Sequence, residues 1–333
     1  MAFPIIQLYG SRREIGLTQG ARIRGLRLPP LCPQDTTFGH ECRAIVEKLH
    51  PAICVEFDAM LDASGLAADQ FRSFYFGRTA PLAGGCTNIA VTAEATEHGH
   101  LIVGRNYDWA YADRRWCEAR LVSPHREMRR MGYTHHWGGL CDVMNEAGLT
   151  ICIASLPPKG ALRPGVQWHI AVDLAASTCT TVCEAADLLR RVPHIRSLAY
   201  LLADDTAARL VEASTEEVTV HAPRDGVLVG TNHRIGDEAK PGERRRASFV
   251  RRERALELLL PQTGKISGEE VKRVLADHEG GICAGAHCSS PGLAAHGTTS
   301  GTIWSLMAEP HRRLVEVAPG HPCETPFGPI PWS

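Results

Sequence analysis

Gly85-Cys86-Thr87-Asn88-Ile89-Ala90-Val91 is the stretch from which the rest of the chain is read. The apolar, β-branched run after the cysteine predicts a strand over Thr87 to Glu94, beginning one residue past a thiol. The pair Gly84-Gly85 gives the backbone the freedom for strained geometry, as attack by that thiol on the preceding carbonyl would require. A break at Gly85-Cys86 would make Cys86 a new N-terminus, carrying nucleophile and general base on one residue. Its α-amine would titrate near ~7.7 to 8.0, leaving roughly a tenth of it basic at pH 7. Downstream, Gly104-Arg105-Asn106-Tyr107-Asp108-Trp109 offers a cation and a carboxylate as an activating shell. In a strand, Arg105 and Asp108 fall on opposite faces, so a break or bulge is expected near Asn106.

Working outward, residues 1 to about 80 read as helical after a short start. Glu41 to Met60 carries apolar positions at helical spacing, interrupted by Pro51. His100 to Asn106 predicts the second strand of a hairpin turned at His98-Gly99. Further strands are read at Leu149 to Ser155, Leu198 to Ala203, Ala208 to Ala213, Glu217 to His221, Val227 to Gly230, Gly301 to Met307 and Arg313 to Val317. Helices are read at Trp168 to Thr178, Val182 to Arg190, Ala247 to Leu260 and Gly268 to Asp277. This order predicts an α+β chain in which two antiparallel sheets pack together under helices on both outer faces.

The chain has 333 residues, 44% of them hydrophobic, enough for a sizeable core. Its 36 Lys plus Arg nearly balance 37 Asp plus Glu, so no electrostatic case exists for nucleic acid or an acidic membrane as partner. A small-molecule substrate fits better. With no signal-like or membrane-spanning run, a cytoplasmic protein is expected. Twelve cysteines scattered singly predict reduced, mostly buried thiols rather than a disulfide framework.

Five segments carry a resemblance: Gly10-Ser11-Arg12-Arg13-Glu14-Ile15-Gly16, Gly85-Cys86-Thr87, Gly104 to Trp109, Met144-Asn145-Glu146-Ala147-Gly148-Leu149 and Gly230-Thr231-Asn232-His233. Together they resemble the isopenicillin N acyltransferase-like family of N-terminal nucleophile hydrolases, relatives of choloylglycine hydrolase and acid ceramidase. The resemblance implies a four-layer αββα sandwich and a precursor cut at Gly85-Cys86. The small chain would be residues 1–85 and the catalytic domain residues 86–333. It implies hydrolysis or acyl transfer at a linear non-peptide amide through a thioester on Cys86, with no cofactor. Arg105 would favour the thiolate, Asp108 would hold the freed α-amine, and Asn232 would donate to the oxyanion. A further arginine is expected in Ser248-Phe249-Val250-Arg251, with Arg245 and Arg246 as competitors to Arg251. Asn145 and Ser155 would line the substrate or oxyanion pocket; Ser155 stands where the bile-salt hydrolase relatives place an asparagine. The partners implied are an amide or acyl donor, with acyl-coenzyme A and an amine acceptor among the options, and the chain's own N-terminal fragment. Substrate identity and oligomeric state are left open.

Two readings from other classes compete. One is an uncleaved, non-catalytic binding protein with the same fold. The other is a zinc-dependent regulator built on His278, Cys283, His287 and Cys288. Their spacing matches no common zinc pattern and adjacent ligands strain a tetrahedron, so no metal is assigned.

Overall fold

A computed structural model describes residues 3–28, 30–31, 33–77, 85–135, 138–238, 246–285 and 299–332. The expectations placed on Gly84, Arg245, His287 and Cys288 lie outside these residues, as does the side chain of Arg246.

The chain opens with strand β1 (Ile5–Gly10), followed by helices α1 (Arg12–Arg22), α2 (Pro33–Leu49), α3 (Pro51–Ser64) and α4 (Ala68–Gly77). The interruption read at Pro51 is the boundary between α2 and α3. Proline fits the first turn of α3 because it lacks only an amide hydrogen that no turn would use. Helices α1 and α3 cross closely, since a Cβ at Gly16 or Gly20 would collide with the carbonyl oxygens of Glu56 and Met60. Beyond Cys86 come β2 (Thr87–Val91), β3 (Ile102–Ala110), β4 (Cys117–Pro124), β5 (Arg130–His135), β6 (Asp142–Asn145) and β7 (Thr150–Ser155). Then follow α5 (Trp168–Thr178), α6 (Val182–Arg191), β8 (Leu198–Ala203), β9 (Ala208–Ala213), β10 (Val218–His221) and β11 (Val227–Gly230). The chain closes with α7 (Arg246–Leu259), α8 (Gly268–Leu275), β12 (Ser300–Glu309), β13 (Leu314–Ala318) and the short β14 (Gly328–Pro329).

Two sheets form, an eight-stranded one ordered β1-β4-β5-β6-β7-β8-β9-β10 and a six-stranded one ordered β11-β2-β3-β12-β13-β14. All pairings are antiparallel except β1 with β4. Alternation along each strand makes the layers. Ala90 and Val103 of the six-stranded sheet join the large core shared with the other sheet, while Ile89, Val91 and Ile102 pack outward with Val271, Val274 and Leu275 of α8. Helices α5 and α6 cover the outer face of the eight-stranded sheet. The result is the four-layer αββα sandwich expected.

The short start of the chain proved to be more than a lead-in to helices. β1 adds an edge strand to the larger sheet, and Arg12 of α1 reaches Glu56, Glu127 and Asp173 in a buried ion cluster. The first 85 residues therefore share both hydrogen bonds and charge pairs with residues beyond Cys86. Strands β4, β5 and β6 were also missed by the sequence reading.

Candidate active site

Cys86 immediately precedes β2, where Thr87 pairs with Asn106 of β3. Its side chain joins the inter-sheet core with Val103 and Tyr107, and the residue is only 4% exposed. On the same face of β3, Arg105 Nη2 lies 3.4 Å from Cys86 Sγ. Arg105 is fully buried, and its Nε donates to both carboxylate oxygens of Asp142 at 3.0 and 3.1 Å. Burial disfavours its charge, but Asp142 and the nearby thiols outweigh that, so the guanidinium stays firmly protonated. Asp142 is itself fixed from two sides, accepting from Trp304 Nε1 at 2.8 Å and from the Ile153 amide at 3.4 Å. A cation held this way cannot rotate from the thiol without breaking a buried pair.

The expected break near Asn106 is not there. β3 runs unbroken through Asp108, and the irregularity lies on the partner strand β12, between Thr302 and Trp304. Arg105 and Asp108 do occupy opposite faces, and the Gly85-Cys86 pair meets both because it leads into the strand. The thiol sits on Arg105's face. The preceding residue sits against Asp108, where a Cβ on Gly85 would come within 3.1 Å of Asp108 Oδ2 and 3.5 Å of Arg251 Nη1. Gly85 does not adopt a left-handed φ, so this close approach, rather than backbone strain, accounts for glycine here.

Asp108 is 3% exposed; Oδ1 accepts from Thr302 Oγ1 at 2.7 Å, and Oδ2 has no hydrogen-bond partner among the described residues. Burial pushes its carboxyl up to about 7, with Arg251 and the Thr302 hydroxyl pulling the other way. On the side of the Cys86 carbonyl, Arg251 Nη2 donates to Cys86 O at 3.4 Å and to Asn232 Oδ1 at 2.8 Å. Burial lowers the pKa of Arg251, against the attraction of Asp108 and Cys86. Asn232 follows β11. Its amide nitrogen bonds Ser248 Oγ at 2.7 Å, and His233 Nδ1 lies 2.8 Å from the same hydroxyl, so the first turn of α7 fixes the asparagine. Burial, with Arg252 and Arg251 nearby, lowers His233 to about 4, leaving it a neutral spacer at neutral pH. The Asn232 side-chain amide donates to both the carbonyl and the hydroxyl of Ser155 at 3.0 Å.

Six expected residues therefore converge: Cys86, Arg105, Asp108, Asn232, Arg251 and Ser155. Asn145 does not. It faces away from the sheet interface, on the opposite side of β6 from Asp142. Its Nδ2 donates to the carbonyls of Ala176 and Cys179, and its Oδ1 accepts from the amides of Ala147 and Leu149. It holds the β6–β7 turn to the end of α5.

Two residues were missed. Asp142 had a readable signal, an acid inside the apolar run Leu140-Cys141-Asp142-Val143-Met144, but its partner is distant in sequence. Asn88, on the same face of β2 as Cys86 and opposite both Arg105 and Gly230, is fully buried, and neither of its side-chain polar atoms is hydrogen bonded among the described residues. Such an orphaned amide marks a place where another group belongs. Next to the site, a cavity of about 230 Å³ opens from Ser155, walled by Leu156, Pro158, Leu162 and Ile195 with Lys159 at its rim.

No curated protein matches the sequence. Among solved structures, an N-acylethanolamine-hydrolyzing acid amidase ortholog of Caenorhabditis elegans superposes with a TM-score of 0.51 at 14% identity, over 74% of this chain and 100% of that one. The penicillin V acylase of Agrobacterium tumefaciens gives 0.50 at 16%, over 70% and 83%. A variant of the conjugated bile acid hydrolase of Clostridium perfringens gives 0.50 at 12%, over 74% and 97%. At these identities the likeness is one of fold. A family profile for acyl-coenzyme A:6-aminopenicillanic acid acyl-transferase matches residues 95–324, which hold Arg105, Asp108, Asn232 and Arg251 but begin after Cys86. That match spans more than half of the sequence, and with the sandwich architecture it places the chain in the acyl-coenzyme A:6-aminopenicillanic acid acyl-transferase family, with an N-terminal nucleophile hydrolase fold.

Proposed function

We propose that the chain is a precursor that cuts itself at Gly85-Cys86 and then hydrolyses or transfers the acyl group of a linear amide through a thioester on Cys86. The observation that carries this reading is the convergence of two buried arginines on one residue, Arg105 at the Cys86 thiol and Arg251 at the Cys86 carbonyl.

In processing, Cys86 Sγ adds to the Gly85 carbonyl carbon and the Cys86 nitrogen leaves as an amine after taking a proton. The acyl group then sits on sulfur until water releases the Gly85 carboxylate and restores the thiol. In turnover, the new α-amine takes the thiol proton, the thiolate adds to the substrate carbonyl, and the amine returns that proton to the leaving nitrogen. Arg105 favours the thiolate by Coulombic attraction. Asp108, with its unpartnered Oδ2 against Gly85, accepts a hydrogen bond from the freed amine.

Both hydrogens of the Asn232 amide are committed to Ser155, whose own hydroxyl hydrogen is left to donate. The oxyanion thus receives the Ser155 hydroxyl, oriented by Asn232, or an Asn232 N–H released from Ser155. This supplies the half of the oxyanion hole that the relatives build with asparagine. The apolar walls beside Ser155 suit an acyl chain. An amidase, an acylase and a hydrolase among the structural neighbours share this reaction class by name. A panel of N-acyl amines, N-acyl amino acids and β-lactam amides offered to the processed protein, with mass detection of a Cys86 acyl adduct, tests the reading. Turnover without an adduct on Cys86 would refute it.

A further inference from the structure

Outside the active site, one group of side chains among the described residues has the composition of a metal centre. His278, Cys283 and Cys323 each present a ligand atom, and these atoms all lie within 4.8 Å of one another. Cys283 Sγ and Cys323 Sγ are 3.6 Å apart. Two thiolates on one tetrahedral zinc ion at about 2.3 Å are spaced about 3.7 to 3.8 Å, so the sulfurs already stand close to the required separation. Bringing the imidazole in from the outer limit takes roughly half an ångström from each side.

The scaffold holds the three donors before any ion arrives. His278 and Cys283 belong to one tight turn after α8. In it the Cys283 amide donates to the Asp277 carbonyl at 2.9 Å, and the Gly280 amide to Asp277 Oδ1 at 2.8 Å. Arg254 of α7 pairs with Asp277 and Glu279, so the nearby acids brace the turn. Cys323 comes from a second turn, closed by the Glu324 and Thr325 amides on the His321 carbonyl and tied to Tyr111 through a 3.0 Å contact with His321 Nε2.

We propose that His278, Cys283 and Cys323 bind one zinc ion. Two sulfurs and an imidazole select a borderline-soft divalent cation over magnesium or calcium, and two thiolates neutralise its charge. Cys283 is buried, His278 half-buried and Cys323 exposed, so the site opens to solvent and one corner of the tetrahedron is left for a further donor. Its effect is to clip the C-terminal turn onto the segment leading into β12. There the Ala284 amide donates to Thr302 Oγ1, the hydroxyl that holds Asp108. The sequence reading grouped His278 and Cys283 with His287 and Cys288, which lie outside the described residues. Cys323, 40 positions from Cys283, is the donor that reading did not include.

The test uses full-length protein kept reduced, as wild type and in the Cys86→Ala background so that the candidate nucleophile does not compete. Zinc content is measured after removing loose metal with a weak chelator. Cobalt(II) is then substituted and its absorption recorded. The expected results are one zinc per chain, a sulfur-to-cobalt charge-transfer band with strong tetrahedral visible bands, and a thermal midpoint raised by zinc. Cys323→Ser, a change at an exposed position, and Cys283→Ala should each weaken binding at least about 100-fold, since even outer-shell partners are worth 10- to 100-fold. Cys183→Ser, at an exposed thiol elsewhere, should change nothing. The proposal is overturned if the reduced wild type binds no more zinc than Cys323→Ser, or if a Cys283–Cys323 disulfide is found and the reduced protein binds no metal.

Discussion

The two sheets bury charged residues to opposite ends. In the eight-stranded sheet the buried charges answer one another. Arg120 meets Glu118 and Gln19, Arg22 reaches Glu118, and Arg130 and Arg12 share Asp173. The Asp173 carboxyl is held well below the usual range because Arg12 and Arg130 outweigh its burial. In the six-stranded sheet the polar groups around Cys86 are left partly unanswered among the described residues. Asp108 has an unpartnered oxygen, Asn88 an unpartnered amide, and Arg251 an unpartnered Nε. Burial of charge is common to both sheets, so it does not mark the site. Unpaired buried atoms occur elsewhere too, as at Arg43 Nε and Tyr75 Oη, but around Cys86 three such groups gather at one thiol, and a group held for a reacting species must leave capacity unused.

The contrast between the sheets turns first on the thiol. Cys86→Ala should abolish processing and cut amide turnover by at least about 10⁴-fold, whereas Cys86→Ser should still process slowly through its hydroxyl. Intact mass and steady-state rates check both. The largest effect in the other sheet should fall on stability. Asp173→Asn leaves Arg12 and Arg130 short of a buried partner and should cost about 3 to 5 kcal/mol in denaturant unfolding, with kcat/KM of the folded, processed protein unchanged. Next, Arg105→Ala and Asp108→Ala should each lower kcat/KM by about 10² or more. Arg105→Ala should also move the pH profile of Cys86 alkylation upward, because the cation favouring the thiolate is gone; an unshifted profile with normal turnover would return the pair to a structural role.

The boundary between the sheets is also where the sequence was hard to read. β7, β8, β9 and β11 are apolar runs bounded by turn residues, and their limits were found to within one residue, whereas β2 ends at Val91, three residues before the expected Glu94. β4 and β5 hide Glu118, Arg120 and Arg130 at buried positions, which erases the apolar pattern that announces a strand. Pairing that makes those charges tolerable comes from α1 and α5, distant in the chain. Asp142 was missed for the same reason, since its role exists only once Arg105 lies across from it. Asn145 was over-read in the opposite sense: a motif asparagine whose side chain is spent on backbone groups and the Met128 thioether. Most of the twelve cysteines were expected to be buried, yet Cys183 and Cys323 are exposed.

A smaller effect extends the contrast to pH. In the Cys86→Ala chain, which is expected to stay in one piece, folding holds a proton on Asp108 up to about pH 7 that the unfolded chain releases near 4. The unfolded state then binds fewer protons, so this group's contribution to stability is fully present below pH 4 and is lost as pH rises toward 7. His233, with its pKa lowered to about 4, slopes the other way, so the measurement is a difference. Adding Asp108→Asn should remove a decline in stability between about pH 4 and 7; identical pH profiles for the two chains would contradict the burial of an acid there. Smallest of all, Arg129→Ala removes an exposed pair with Glu146 and should shift stability by less than about 1 kcal/mol, with no change in rate.

That Cys86 becomes an N-terminus is tested most directly by the mass of the wild-type polypeptide. Two pieces are expected, residues 1–85 and 86–333, whose masses sum to that of the chain plus one water. They should migrate together in size exclusion, because β1 remains paired with β4 and Arg12 with Asp173. A wild-type protein that stays a single chain through long incubation, yet turns over an amide, would contradict it.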